Sequence, residues 1–371
     1  MKRTTVLAWV CLGLAVALGG KAQAEGTLDP PAEALQNGQP RAHMKTLDQI
    51  EPRTLITQLP YSITNSGSYY LARPMAGSPF SNGVTIAASH VKLDLCGFSI
   101  DGGTTDSLCG VFVGGQAFNV SIRNGIIRGW GGFGVLATNA KDAVLADLKA
   151  FDNGHGGLYV GDNALIERCA AYGNGVSAPP VNPPWSDGIR AGAYSTIKDC
   201  KAMHNKGAGI HAYFHSRVAG CTASDSMNAN GIWAEDFCTV TDCTAARNRS
   251  VGISVYSQCR VAGNTCAGNG VTNDMTPPDG MVAGICVQGN NSVIERNNVT
   301  GNGIGIEVID SAFGNLIVNN TATKNGQPNR DYKILGIPTG PCSNYVGAIW
   351  DLAPGEITNS NPWANFSFSG I

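Results

Sequence analysis

A solenoid of stacked, parallel strands is the fold class this sequence predicts: all-β, a single-stranded right-handed parallel β-helix of about ten coils with N- and C-terminal caps. Three observations predict it. A glycine-led unit, Gly-Ile/Val/Leu-x-Val/Ala, recurs at Gly110, Gly134, Gly157, Gly188, Gly209, Gly231, Gly252, Gly284 and Gly305, with successive spacings of 24, 23, 31, 21, 22, 21, 32 and 21 residues. Apolar residues alternate over short stretches inside each unit, as half-buried strands require. Columns of cysteine and asparagine then keep step with the glycines: Cys169, Cys200, Cys221, Cys243 and Asn264 twelve residues on, and Asn174, Asn205, Ser226, Asn248 and Asn269 seventeen residues on.

In chain order, Lys2 and Arg3 form a basic start, Val6 to Leu18 an apolar run, and Ala22-Gln23-Ala24 a small-x-small cleavage pattern. Residues 1–24 therefore read as an export signal, which places the protein in a secreted or periplasmic/extracellular location. The run is too short to span a bilayer comfortably. Residues 25–60 read as an N-terminal segment and cap, with a short helix around Leu47-Asp48-Gln49-Ile50. Gly83-Val84-Thr85-Ile86 leads an earlier coil within the solenoid, residues 61–330. The period is lost after Asn325, and residues 331–371, with Trp350, Trp363, Phe366 and Phe368, read as an aromatic C-terminal cap.

Within one unit, Gly188-Ile189-Arg190-Ala191 is a first strand, Ser195-Thr196-Ile197-Lys198-Asp199 a second and Cys200-Lys201-Ala202-Met203 a third, before a turn at Asn205-Lys206-Gly207. Three strands in about 21 residues are cramped for a hairpin but fit one rung, which buries its apolar side by stacking on the next about 4.8 Å away. Asparagine tolerates left-handed bends, and its amide can bond its own copy in the next coil. Two spacings are longer by about ten residues, and both hold proline-rich inserts, Val176 to Ser186 and Val271 to Val282.

Asn290-Asn291-Ser292-Val293-Ile294-Glu295-Arg296-Asn297-Asn298-Val299 and Gly301-Asn302-Gly303-Ile304-Gly305-Ile306 resemble the repeats of right-handed parallel β-helix proteins of the pectin-lyase-like superfamily. The entry segment, Glu51-Pro52-Arg53-Thr54 to Gly67-Ser68-Tyr69-Tyr70-Leu71, is similar to that of secreted bacterial members of unassigned function. The resemblance covers roughly residues 50 to 330. It implies the fold and not one activity, because hydrolases, lyases, epimerases and non-catalytic proteins share this scaffold.

Composition narrows the partners. Lys plus Arg number 25 against 27 Asp plus Glu, so the net charge is −2, and no segment forms the basic stripe that a nucleic acid or an anionic membrane needs. A polysaccharide partner and a monomer are expected. The 48 glycines have no collagen period and fall at turns between β-branched stretches. Of the twelve cysteines, Cys11 lies in the export signal. The column cysteines, and Cys238 with Cys259, read as buried stacked thiols, while Cys96 and Cys109 bracket one loop and are the best disulfide candidates.

On each first strand, the second and fourth residues after the glycine should face solvent. The two rows become chemically rich over the coils led by Gly188 to Gly252, where they carry Arg190, His211, Tyr213, Trp233, Glu235 and Tyr256. The inserts would wall this patch, with Trp185 and Asp187 on one side and Asp274 and Asp279 on the other. Trp185, Trp233 and Tyr256 suit stacking on sugar rings, and Arg190 suits a carboxylate. If the reaction is β-elimination on a uronate polymer, Arg190 neutralises the carboxylate, and His211 or Tyr213 is the base with the other as acid. If it is hydrolysis, Asp187 and Glu235 are the flanking pair. If neither, the same face is a non-catalytic glycan-binding or structural surface. The Gly154-His155-Gly156 and Ser186-Asp187-Gly188-Ile189 elements run in the reverse order to those of polygalacturonases, whose paired-aspartate and Arg-Ile-Lys motifs are missing; the Asp-Pro-His-Asp element of alginate epimerases is also missing. His155 therefore reads as a turn residue. No cofactor is expected. Calcium has the weakest support, since the side chains of Glu235 and Asp236 should point to opposite faces.

Overall fold

The computed structural model describes residues 52–103, 106–175, 186–271, 281–326, 330–335, 343–351 and 360–368, together with the strand pair at 35–36 and 39–40. Residues 1–52 and 53–371 are separate compact units. In the first, Leu35–Gln36 pairs antiparallel with Gln39–Pro40; the expected helix around Leu47 lies outside the described residues.

The second unit is the parallel β-helix. Its first row holds twelve strands among the described residues, from Tyr61–Ile63 to Tyr332–Ile334, each parallel to the next. That is two more than the glycine period suggests, because Tyr61–Ile63 and Tyr332–Ile334 pair without a leading glycine. A second row runs through strands such as Thr196–Lys198 and Arg217–Ala219, and a third through Lys201–Met203 and Thr222–Ser224. The long strands Val120–Arg128 and Val144–Phe151 bend from the second row into the third. Alternation turns Ile189, Ile210, Ile232, Ile253, Ile285 and Ile306 inward in register, and all six are fully buried.

Three side-chain ladders line the corners, and in each the donor N–H belongs to the earlier coil, while bonds such as Ser257 N–H to Asp236 and Phe313 N–H to Asn290 beside them run the other way. At the third corner, Asn174 donates both its backbone N–H and its Nδ2 to Asn205 Oδ1 (3.1 and 2.9 Å), and Asn248 does the same to Asn269 (3.0 and 2.8 Å). At the second corner cysteine takes the amide's part: the N–H of Cys200 donates to Cys221 Sγ at 3.4 Å, and the N–H of Cys243 to Asn264 Oδ1 at 2.9 Å. At the first corner Ser195 donates to Ser216 Oγ and Cys238 to Cys259 Sγ. Each acceptor thus takes a backbone N–H from the coil before it.

The third ladder thins at Ser226, whose Oγ is buried without a partner. Ser226→Asn restores an amide with the geometry of its neighbours, and should raise stability by about 1 kcal/mol for the added buried bonds. Equilibrium urea unfolding reads the change.

The lead glycines are not turn residues. A Cβ on Gly188 would lie 2.4 Å from Asn205 Nδ2 and 2.8 Å from the Gly209 carbonyl oxygen, and one on Gly231 would lie 2.4 Å from Asn248 Nδ2 and 2.7 Å from the Gly252 oxygen. The next coil's backbone and the corner amide fill the space a side chain would need. Gly209 meets no amide, because Ser226 stands where the others have asparagine.

All ten cysteines among the described residues are free, Cys96 and Cys109 included. Burial pushes the Cys238 thiol up to about 11, so it stays protonated and inert.

Past residue 330 the coil pattern continues: Tyr345–Val346 extends the second row and Asn365–Phe368 the third. Trp350 and Trp363 of the expected aromatic cap are exposed rather than packed on the last coil. Polar acceptors terminate the ladders. Asn344 takes the N–H of Asn315, Asn365 that of Asn320, and Asp331 that of Asn325.

Candidate functional site

The register of the first row sets Tyr159, Arg190, His211 and Trp233 side by side, one per coil. Tyr213 and Glu235 stand two residues further along their own coils, and Asp187 just before Gly188. The structure brings Arg190, His211, Tyr213, Trp233, Glu235 and Asp187 into one cluster. Tyr256 is half-buried one coil on, where burial and then the Glu235 carboxylate push its hydroxyl pKa up. Trp185, Asp274 and Asp279 lie outside the described residues.

His211 is the hub rather than a solvent-facing group, being 4% exposed. Its Nδ1 lies 3.4 Å from Asp187 Oδ2 and its Nε2 3.3 Å from Glu235 Oε1. The Trp233 ring stacks on it at 4.3 Å and the Tyr213 ring at 4.8 Å, both nearly parallel. Two rings that close cannot share one face, so the imidazole is sandwiched. Strand spacing of about 4.8 Å brings row neighbours to stacking distance, which is why this part of the row excludes water although it points outward.

Burial would lower the pKa of His211, but the bonds to Asp187 and Glu235 outweigh it and the net shift is upward. A folded-state pKa above the unfolded value means that the cluster's contribution to stability is complete below about pH 6.5. It is lost as pH rises through the higher folded value. Wild type should therefore lose stability relative to His211→Asn between about pH 6.5 and the alkaline side of that value, read as the difference in urea midpoints across pH.

Asp187, 6% exposed, also accepts the N–H of Ala208 at 2.9 Å and lies 3.7 Å from Arg190 Nη1; its own N–H donates to the Tyr159 hydroxyl at 2.9 Å. It is an internal acceptor that organises its neighbours. Arg190 Nη2 donates to the Tyr213 hydroxyl oxygen, and the guanidinium lies 5.0 Å from the Tyr213 ring centre and 5.7 Å from that of Tyr159. Burial opposes the charge on Arg190, yet Asp187 and Tyr213 raise its pKa on balance.

Arg190 and Tyr213 wall a pocket of about 260 Å³ whose other lining includes Tyr159, Gly161, Asp162 and Gly192. Two glycines of its lining are packed tightly on the coil before them: a Cβ on Gly161 would lie 2.2 Å from the Ala140 carbonyl oxygen, and one on Gly192 2.5 Å from Asp162 Oδ1. The open space thus sits toward the coils led by Gly134, Gly157 and Gly188, earlier than the residues alone suggested. Tyr159 is the residue that reading missed. Its place in the second-position row, directly before Arg190, was the available signal. His155 is half-buried, with its ring edge-on to Phe133 at 5.2 Å, outside this cluster. Among the described residues no group of three or more His, Cys, Asp or Glu side chains could hold a metal ion.

A model of the right handed beta helix region matches residues 79–217 and 187–335. No curated protein matches the chain by sequence. Among solved structures, the A-module of mannuronan C-5 epimerase AlgE6 from Azotobacter vinelandii is 16% identical, with 79% of this chain and 87% of that one covered at a TM-score of 0.58. The AlgE4 A-module of the same organism is 14% identical (80% and 89% covered, TM-score 0.57). The Dettilon tailspike protein is 15% identical (76% and 60% covered, TM-score 0.54). These likenesses are of fold.

Proposed function

The chain belongs to the right-handed β-helix family, and from that premise we propose that it acts on an acidic polysaccharide at the Arg190–Tyr213 pocket, by moving the proton next to a uronate carboxylate. The observation that carries the reading is the guanidinium donating to a tyrosine hydroxyl at the wall of an open pocket. On this reading Arg190 pairs with the sugar carboxylate, which acidifies the adjacent C–H. The Tyr213 phenolate oxygen, held by Arg190, takes the C5 proton, and the electron pair passes into the carboxylate. From there it either expels the C4 oxygen, protonated by the tyrosine, to leave an unsaturated sugar, or is reprotonated at C5. Asp187, His211 and Glu235 fix Tyr213 and the local charge from behind. Two structural neighbours bear the names of mannuronan C-5 epimerases, whose named reaction is on a uronate polymer.

Hydrolysis by Asp187 and Glu235 is the weaker chemistry. It needs the glycosidic bond between two carboxylates, and the His211 imidazole already stands there.

The test is incubation of the purified protein with polymannuronate, polyguluronate and polygalacturonate in deuterated water. An unsaturated product, or deuterium at C5 of recovered polymer, is the expected result. A non-catalytic glycan-binding protein is the second reading, favoured by the burial of His211 and Asp187 with their polar atoms engaged. Polymer bound without product or exchange selects it.

A further inference from the structure

The corner between the first and second rows carries one residue with positive φ in most coils. In the other coils it is His90, Asn119, Asp142, Asn163, Gln258 or Asn291, with φ between 55° and 58°, four of the six being asparagine or aspartate. In three consecutive coils, those of the candidate site, it is instead Tyr194, His215 and Phe237, with φ of 59°, 58° and 61°. Bulky side chains pay a steric penalty in this region that asparagine largely avoids. Tyr194 is 63% exposed and Phe237 44%, so burial of the rings does not offset it.

Their arrangement says what they present. The rings stack at 4.9 Å (Tyr194 on His215, 3° between planes) and 4.5 Å (His215 on Phe237, 15°). These spacings match the coil repeat, so the ring planes lie across the solenoid axis and their edges point outward. Aromatic edges carry the positive part of the ring quadrupole. Phe214, 41% exposed, joins the ladder to the pocket by an edge contact with Tyr213 at 6.2 Å. The strip therefore offers oxygen-seeking edges alongside the pocket that holds Arg190.

We propose that Tyr194, His215, Phe237 and Phe214 form an accessory strip for the same acidic polysaccharide, engaging sugar units beyond the one in the pocket; this rests on the function proposed above. The occupant is a chain rich in carboxylate and hydroxyl oxygens that continues out of the pocket along the axis.

The test uses the full-length protein and a variant combining Tyr194→Asn, His215→Asn and Phe237→Asn, the residue this corner uses elsewhere. Calorimetric titration with polymannuronate, polyguluronate and polygalacturonate, each as long chain and as trisaccharide, gives the ratio of long-chain to short-chain affinity. The expected result is a ratio lowered by at least about tenfold, with short-chain affinity unchanged and thermal stability equal or higher. An unchanged ratio in the folded variant, or a loss of stability with affinity kept, overturns the proposal and makes the ladder a packing device. If the triple variant does not fold, Phe214→Ser, which alters no positive-φ residue, puts the same ratio to the same test. Should Arg190→Ala leave short-chain affinity intact while the ladder variant still lowers the ratio, the pocket reading fails and the strip stands. No binding of any of these glycans by the wild type overturns both.

Discussion

Replacing Asn248 with alanine is expected to destabilise the protein by about 3–5 kcal/mol. Asn248 Oδ1 accepts the N–H of Ser226 at 3.0 Å, and its Nδ2 donates to the Ala223 carbonyl at 3.1 Å and to Asn269 Oδ1 at 2.8 Å. The residue is 1% exposed, so water does not replace what the amide supplied. Each buried group left unpaired costs about 1–3 kcal/mol, and alanine strands the Ser226 N–H and the Ala223 carbonyl while weakening the Asn269 pairing. The vacated space beside Gly231 adds to the loss. Because each coil touches only its neighbours, the defect should divide the solenoid near the coil led by Gly231. Urea unfolding should show a lower midpoint, and hydrogen exchange should show the fastest new opening in strands Thr222–Ser224 and Thr244–Ala246. An unchanged midpoint would mean the ladder does not carry the corner.

Tyr213→Phe should lower turnover on the responsive uronate polymer by about 10²–10⁴-fold, the range for removing a positioned proton-transfer group. Binding should change little, because the ring stays stacked between Arg190 and His211. Arg190→Lys separates the roles at the other end of the same bond. A lysine keeps the charge but loses the planar fork that suits a carboxylate, so it should weaken polymer binding and turnover together. Steady-state rates with both variants check the pair. Tyr213→Phe with full turnover would remove the tyrosine from the chemistry and return the question to the half-buried Glu235.

How much of this was legible in the sequence differs between the core and the site. The parallel coil could be read because its constraint repeats: Ile189, Ile210, Ile232 and Ile253 meet the same neighbours in successive coils, so periodicity exposes them. The cysteine and asparagine columns were legible for the same reason, although which atom accepts from which N–H was not. The cluster was only partly legible. Register brought Arg190, His211, Trp233 and Glu235 together correctly, but alternation assigns a direction and says nothing of what stacks on a residue once it points outward. His211 is buried by Trp233 and Tyr213, both themselves outward residues. The pocket was illegible for a related reason. Its lining includes Gly161 and Gly192, which in a row of candidate functional groups look like gaps. Asn344, Asn365 and Asp331, the last ladder acceptors, did not announce themselves in a stretch where the period had lapsed.

The one-way corner ladders also bear on how such a chain is built. Every N–H in them waits for an acceptor supplied by the following coil, so a chain emerging from its N-terminus through this stretch ends in a coil whose ladder donors are unanswered. Each newly made coil satisfies the one before it and inherits the same need. These ladders therefore extend coil by coil, until Asn344, Asn365 and Asp331 answer their last donors. A ribosome-stalled chain ending before residue 331 would display a sticky, unfinished rung. Chains released there should associate end to end more readily than chains that carry Asn344, Asn365 and Asp331.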